Sequence, residues 1–228
     1  FTGTQRHCPL LWAGDQCVDF SRHDGLRTVI TAALSAGLVG NAYHHSDIGG
    51  YTSLFGLTRT PELIMRWAEL ATFTPVMRTH EGNRPRDNLQ IDQSPELLAH
   101  FAAMTRVHKH LLPYFRTLVD EASARGWPMQ RALFLHFPDD PATYGIDDQY
   151  LLGADLLVAP VHAAGAAEWS AYLPAGSRWR HVWSGRIFEG GQRATVPAPL
   201  GQPPVFFREN SRFATLFETI PEAAGKPA

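Results

Sequence analysis

Pro9-Leu10-Leu11-Trp12-Ala13-Gly14-Asp15-Gln16 is a short apolar run that empties into a polar turn carrying a carboxylate. Ser21 can cap a helix behind it, in which Leu26, Val29, Ile30, Ala33 and Leu34 recur at helical spacing before Gly37 and Gly40. Asn41 to His45 then reads as a second short strand. It opens into Ser46-Asp47-Ile48-Gly49-Gly50-Tyr51, whose paired glycines allow backbone conformations that other residues resist. Strand, polar loop, helix, strand, polar loop is the repeating unit of a parallel sheet with its functional loops on one edge.

Moving outward, Thr60-Pro61 is an N-cap with proline at the first helical position, backed by the stripe Leu63, Ile64, Trp67, Leu70 and Ala71. Pro75 to Met77 is strand-like and leads into Arg78-Thr79-His80-Glu81-Gly82-Asn83. Ser94-Pro95 starts the longest helix, which is expected to kink at Pro113 and to end at Gly126 and Pro128. Met129 to Phe137 reads as a strand, and Pro138-Asp139-Asp140-Pro141 as a turn. The domain border is therefore expected at 138, giving an α/β portion over 1–138 and a second domain over 139–228. In the second, short apolar runs such as Leu156 to Val161 and Val205 to Phe207 alternate with Gly, Pro and Ser, the texture of a small antiparallel β-domain. Residues after about Pro221 are expected to fray. A complete (β/α)8 barrel takes about 250 residues, so the first portion is either a smaller open sheet or the last half of a barrel.

The 228 residues are 44% hydrophobic and 18% charged with a formal net charge of −2, which argues against binding nucleic acid by bulk charge. The longest apolar runs are interrupted, as at Gly153 and Asp155, and fall short of a membrane span. Cys8 and Cys17 are the only cysteines and lack metal or redox spacing, so a reducing compartment, the cytoplasm, is the expectation. The chain starts at Phe1 with neither an initiator Met nor a signal segment, and is expected to be the tail of a longer chain.

Asp15, Asp47 and His80 follow three successive strand-like runs, a spacing that would gather them into one site. Glycoside hydrolysis commonly uses two carboxyl groups, one protonating the leaving oxygen and one attacking carbon or activating water. Trp12 could wall off Asp15 and raise its pKa by excluding water. Each residue also has a plainer reading: Asp15 and Asp47 as turn residues beside glycine, His80 as a hydrogen-bonded histidine, Tyr51 as a packed aromatic. His44/His45 and His108/His110 raise the thought of a metal, but neither spacing points two rings the same way. Trp169, Trp179 and Trp183 could line a sugar face or pack the β-domain.

Leu11-Trp12-Ala13-Gly14-Asp15-Gln16 resembles the Trp-x-Gly-Asp-(Asn/Gln) segment of family 31 glycoside hydrolases, the α-glucosidase family. His45-Ser46-Asp47-Ile48-Gly49-Gly50 resembles that family's His-x-Asp-Ile-Gly-Gly segment, and Thr74 to His80 its Arg-x-His segment. Asp148 to Val161 is similar to its passage from barrel to C-terminal β-domain. Tyr43 to Thr52 looks most like the sulfoquinovosidase branch, whose members release sulfoquinovose, a sulfonated glucose, from sulfolipid headgroups such as its glyceryl glycoside.

The resemblance implies the C-terminal half of a TIM barrel followed by a small antiparallel β-sandwich domain, and a retaining α-glycoside hydrolase with no metal and no cofactor. It makes Asp15 the general acid/base, places Asp47 and His80 on sugar hydroxyls and Tyr51 on the sulfonate, and sets Trp12, Gln16 and Arg78 beside the sugar. The family's nucleophile aspartate has no match here, and Asp19, Asp24 and Glu81, the nearest carboxylates in sequence, do not end a separate preceding strand. The 228 residues alone are thus expected to have no turnover. Two other readings stand beside this one: an ordinary α-glucosidase, and a carbohydrate-binding protein without catalysis. The expected partner is a small-molecule glycoside, with neither nucleic acid nor membrane. An uncovered strand edge is expected to make the chain aggregate or form a homo-oligomer.

Overall fold

A computed structural model describes residue 3, residues 7–54 and residues 56–225; Phe1 lies outside them. The first portion holds β1 (Leu10–Trp12), α1 (Leu26–Leu38), β2 (Tyr43–His45), β3 (Asp47–Ile48), α2 (Pro61–Thr72) and β4 (Arg78–Thr79). β1 runs parallel to β2 with Trp12 opposite His45, and β3 runs parallel to β4 with Asp47 opposite Arg78. β2 and β3 are one strand interrupted at Ser46, whose hydroxyl accepts a 2.8 Å bond from the indole N–H of fully buried Trp67 on α2. The parallel wall thus has three strand positions. Helices α1 and α2 bury the apolar stripes read from sequence, Leu26 to Leu34 and Leu63 to Ala71. Thr60 caps α2 through Oγ1, which accepts from the Leu63 N–H, with Pro61 at the start.

α3 (Pro95–His110) and α4 (Leu112–Arg125) meet at Leu111. The single kinked helix expected here is two helices, because Pro113 has no N–H and its ring crowds the carbonyl four residues back. Similarly, the strand expected at 75–77 lies at 78–79: Pro75 cannot donate to a ladder, and the parallel register is set by Asp47 and Ile48. Asp47, expected in a loop, is on β3. The run Met129 to Phe137 is only briefly extended, in β5 (Gln130–Arg131), before a 3-10 turn at Leu133–Leu135. Fully buried Arg131 causes this turn, since its guanidinium bonds the Pro128 carbonyl at 2.7 Å and His136 Nε2 at 2.9 Å, folding the segment around itself.

Beyond it come β6 (Tyr150–Leu152), β7 (Leu156–Val158), β8 (Glu168–Leu173), β9 (Arg178–His181), β10 (Ile187–Glu189), β11 (Gln192–Pro197) and β12 (Val205–Arg208). Six strands form an antiparallel sheet in the order β10-β9-β12-β7-β6-β5, and β8 pairs with β11 as a second layer. β5 places residues before 138 in this sheet. Strand alternation splits the buried side chains between two cores. Tyr150, Leu152, Leu156, Val158, Val205 and Phe207 join the helices, while Leu151, Leu157 and Phe206 join Leu173, Trp179 and Val196 of the sandwich interior.

The chain closes with α5 (Ala214–Glu218) and α6 (Ile220–Ala223). The expected fraying after Pro221 does not apply up to Gly225: Ile220 is fully buried, and the Arg106 guanidinium donates to the Ala223 and Ala224 carbonyls. No described helix is long and apolar enough to cross a membrane.

Candidate functional site

The C-terminal ends of the parallel strands release three loops: residues 13–25 after β1, 49–60 after β3, and 80–94 after β4. Backbone bonds stitch them together. The Ala13 N–H donates to the His45 carbonyl at 2.8 Å, and the N–H groups of Tyr51 and Thr52 both donate to the Gln16 carbonyl at 2.8 Å. The Asn83 N–H donates to the Tyr51 carbonyl at 3.1 Å. Gly50 permits this closeness, because its φ is +76° and an added Cβ would lie 2.7 Å from the Cys17 carbonyl oxygen.

On this scaffold the expected residues divide. Asp15 is exposed; its carbonyl is pinned by the Thr52 hydroxyl at 2.7 Å, so the carboxyl projects to solvent from a fixed backbone. Asp47 is the opposite, 1% exposed with neither carboxylate oxygen in a hydrogen bond. Its ion partner is Arg78, whose Nε lies 3.4 Å from Oδ1 and whose guanidinium covers the Trp12 ring at 5.4 Å. Trp12, Asp47 and Arg78 therefore form one column. Trp12 is 41% exposed, and its ring faces the Arg78 guanidinium.

Tyr51 and His80 form a second pair, edge to face with centroids 5.0 Å apart. His80 Nδ1 accepts from the Gly82 N–H at 3.0 Å, which fixes the neutral tautomer with its proton on Nε2 and leaves that N–H as a donor. Gln16 is buried; its amide N–H donates to the Ala13 carbonyl at 2.8 Å and braces the first loop, while its Oε1 is buried without a hydrogen bond.

Two further residues belong to the same locus: His45, which the sequence marks only as half of a histidine pair and as part of a motif, and Arg59, which sequence reasoning did not single out. His45 holds a buried Nδ1 with no hydrogen bond, and burial and then the Arg78 charge push its pKa down, opposed by Asp47. Arg59 is buried beneath the second and third loops and donates from Nη2 to the Gly50 carbonyl. A cavity of about 580 Å³ on the flank is lined by Ile48, Arg59, Ile64, Thr79, His80 and Leu89, among others; of the expected site residues it touches only His80.

The chemistry this arrangement suits is recognition of a polyhydroxylated ligand. A buried carboxylate without hydrogen bonds is costly until donors reach it, and sugar hydroxyls are such donors. No group of three or more potential metal ligands occurs among the described residues. His108 Nδ1 and His110 Nε2 instead bond the Thr72 and Leu216 carbonyls, each at 2.9 Å. The indoles of Trp179 and Trp183 bond the Pro174 and Pro203 carbonyls, so packing accounts for them.

Comparison with known proteins agrees with this geometry. Residues 1–118 match the glycosyl hydrolases family 31 TIM-barrel domain, and residues 126–211 match the glycosyl hydrolase family 31 C-terminal domain. A sulfoquinovosidase of Agrobacterium fabrum is 63% identical over 220 residues, covering 96% of this chain and 33% of the relative. A sulfoquinovosidase of Escherichia coli is 52% identical over 219 residues, covering 96% and 32%. Among solved structures, a family 31 sulfoquinovosidase from E. rectale in complex with the aza-sugar inhibitor IFGSQ superimposes with a TM-score of 0.94 at 52% identity, over 96% of this chain and 33% of that one. The chain spans about a third of the length of these relatives.

Proposed function

The chain belongs to glycosyl hydrolase family 31, and on that premise we propose that it carries the acid/base half of a retaining α-glycoside hydrolase that releases sulfoquinovose from α-sulfoquinovosides. Asp15 protonates the departing oxygen, a carboxylate from outside these 228 residues captures the anomeric carbon, and Asp15 then acts as base toward water. Asp47 and His80 Nε2 hold sugar hydroxyls as acceptor and donor, with Arg78 and Trp12 forming the side of the sugar pocket. Tyr51 donates its phenol O–H to the sulfonate, which is anionic at every physiological pH and requires oriented donors. The proposed site needs neither metal nor cofactor. The proposed domain division is 1–138 for barrel and 139–228 for β-domain, with the end of the first portion lending β5 to the sheet of the second, and two unpaired thiols, Cys8 and Cys17, suit the cytoplasm.

The observation that carries the reading is the column of Trp12, Arg78 and buried, hydrogen-bond-free Asp47 beside the Tyr51–His80 pair, all on one edge of a parallel wall. The substrate class draws its support from the two sulfoquinovosidases to which the chain is 63% and 52% identical. The test is hydrolysis of nitrophenyl α-sulfoquinovoside and nitrophenyl α-glucoside by the complete enzyme. The expected preference for the sulfonated substrate is at least about 100-fold, because a site with buried polar groups rejects a ligand that leaves them unpaired. Equal turnover of both would make it an ordinary α-glucosidase, and binding without turnover a carbohydrate-binding protein.

A further inference from the structure

Arg59 precedes the cap of α2 in a loop with exposed neighbours, yet it is only 6% exposed. Besides donating from Nη2 to the Gly50 carbonyl, it occupies space that side chains at two glycines would need. A Cβ on Gly49 would lie 3.4 Å from Arg59 Nε; one on Gly82 would lie 3.1 Å from Arg59 Nη2 and 3.1 Å from the Tyr51 carbonyl oxygen. Both glycines have positive φ, +87° and +86°. The guanidinium therefore sits between two turns, one presenting Tyr51 and the other His80.

The base of this arrangement is also tied. Asn88 Oδ1 accepts from the Arg59 N–H at 3.3 Å and from the Ser53 hydroxyl at 2.6 Å, while Asn83 Oδ1 accepts from the Ser53 N–H at 2.9 Å. Arg59 also has an electrostatic interaction with Asp47, which opposes the effect of burial on the guanidinium. Arg59 Nε has no hydrogen bond. The charge is thus kept in a desolvated position, its planar guanidinium hydrogen-bonded to the first turn and packed against the second.

We propose that Arg59 is a positioning residue for anion recognition: it locks the Gly49–Tyr51 turn against the His80–Gly82 turn, so that the Tyr51 phenol meets the sulfonate in one orientation. This rests on the sulfoquinovoside reading above. Arg59 acts through Tyr51, and its loss leaves the phenol present but loosely aimed, which weakens substrate binding more than the chemical step.

A double-mutant cycle on the complete enzyme tests this, with Arg59→Lys, Tyr51→Phe and the pair, assayed on nitrophenyl α-sulfoquinovoside. Lys keeps the charge and loses the fork. Arg59→Lys is expected to raise KM about tenfold with kcat within about threefold, and to add less than about twofold to KM once Tyr51 is Phe. Arg59→Met, with neither charge nor fork, is expected to raise KM further. Equal effects of Arg59→Lys in both backgrounds, or an unmoved KM in the folded variant, would overturn the proposal. A wild-type enzyme that ignores the sulfonated substrate, or a Tyr51→Phe variant with unchanged KM, marks failure of the substrate reading itself, which removes the proposal with it.

Discussion

Asp15 and Asp47 are two carboxylates whose surroundings demand different responses to the same substitution. Asp15 is exposed with a pinned carbonyl, so Asp15→Asn should change stability by less than about 0.5 kcal/mol. In the complete enzyme it should lower turnover of substrates with poor leaving groups by about 100- to 10,000-fold, leaving ligand binding intact. Calorimetric titration beside single-turnover kinetics checks both, and loss of binding instead would assign Asp15 a structural role. Asp47 is buried beside Arg78, so Asp47→Asn should weaken ligand binding by about 10- to 100-fold, the scale of a lost charge-assisted hydrogen bond. The candidates Asp15, Asp47 and His80 stand out in the sequence because polar side chains follow apolar strand runs at a regular interval, whereas Tyr51 stands out only through the family resemblance. Arg59 does not stand out, because an arginine in a threonine-flanked loop reads as solvated and only the tertiary approach of Gly49, Gly50 and Gly82 buries it.

The elements that carry these residues depend on a few local devices. Gly50 is one: with φ at +76° and the Cys17 carbonyl 2.7 Å from any Cβ, Gly50→Ala must separate the first two loops. It should cost more than about 1 kcal/mol in denaturant-melt stability, since alanine is strained at such a φ. Thr60 is another, and Thr60→Ala should cost about 1 kcal/mol by freeing the Leu63 N–H at the start of α2. A denaturant titration that placed both variants within error of the parent would refute this account of the loop edge. The helices were legible in detail because Thr60-Pro61 and Ser94-Pro95 are caps whose chemistry is local. The strands were less so. β4 begins directly after the apolar run Pro75–Met77 rather than within it, because a two-residue parallel strand takes its position from its partner, here Asp47 and Ile48. The Met129–Phe137 run misled for a different reason, since its apolar texture hides Arg131, whose bonds to Pro128, His136 and Glu121 bend the chain.

At the scale of the whole molecule, the parallel wall and the sandwich are locked by the buried pair Arg66–Glu69 on α2. Arg66 donates to the Ala166 and Ala198 carbonyls, and Glu69 accepts from the Gly201 N–H. Three histidines, His44 and His181 buried and His136 half-buried, make the assembly sensitive to acid. His44, His136 and His181 have pKa values pushed down to about 4, by burial first and then by His45, Arg131 and Arg186 respectively. The unfolded chain binds these protons below its ordinary value of 6.5 while the folded chain does not, so stability is full above 6.5 and is lost progressively as pH falls toward about 4. His136→Gln keeps an acceptor for Arg131 and removes one titrating group, so urea midpoints across this range should fall less steeply than in the parent. The parallel wall poses the remaining problem. Among the described residues the outer edges of β1 and β4 have no strand partner. Leu10, Tyr43, Val76, Phe115 and Val119 line an open groove of about 620 Å³ at the opposite end of the strands from the loops. Unpaired edges next to an apolar face favour pairing with another chain. The 228 residues expressed alone should therefore elute as dimers or larger species in size-exclusion chromatography with light scattering. Arginine placed at Val76 and Val119 should shift that distribution toward monomer by charging the groove. A sharp monomer peak from the unmodified chain, with cooperative unfolding, would mean that the wall closes on itself without further strands.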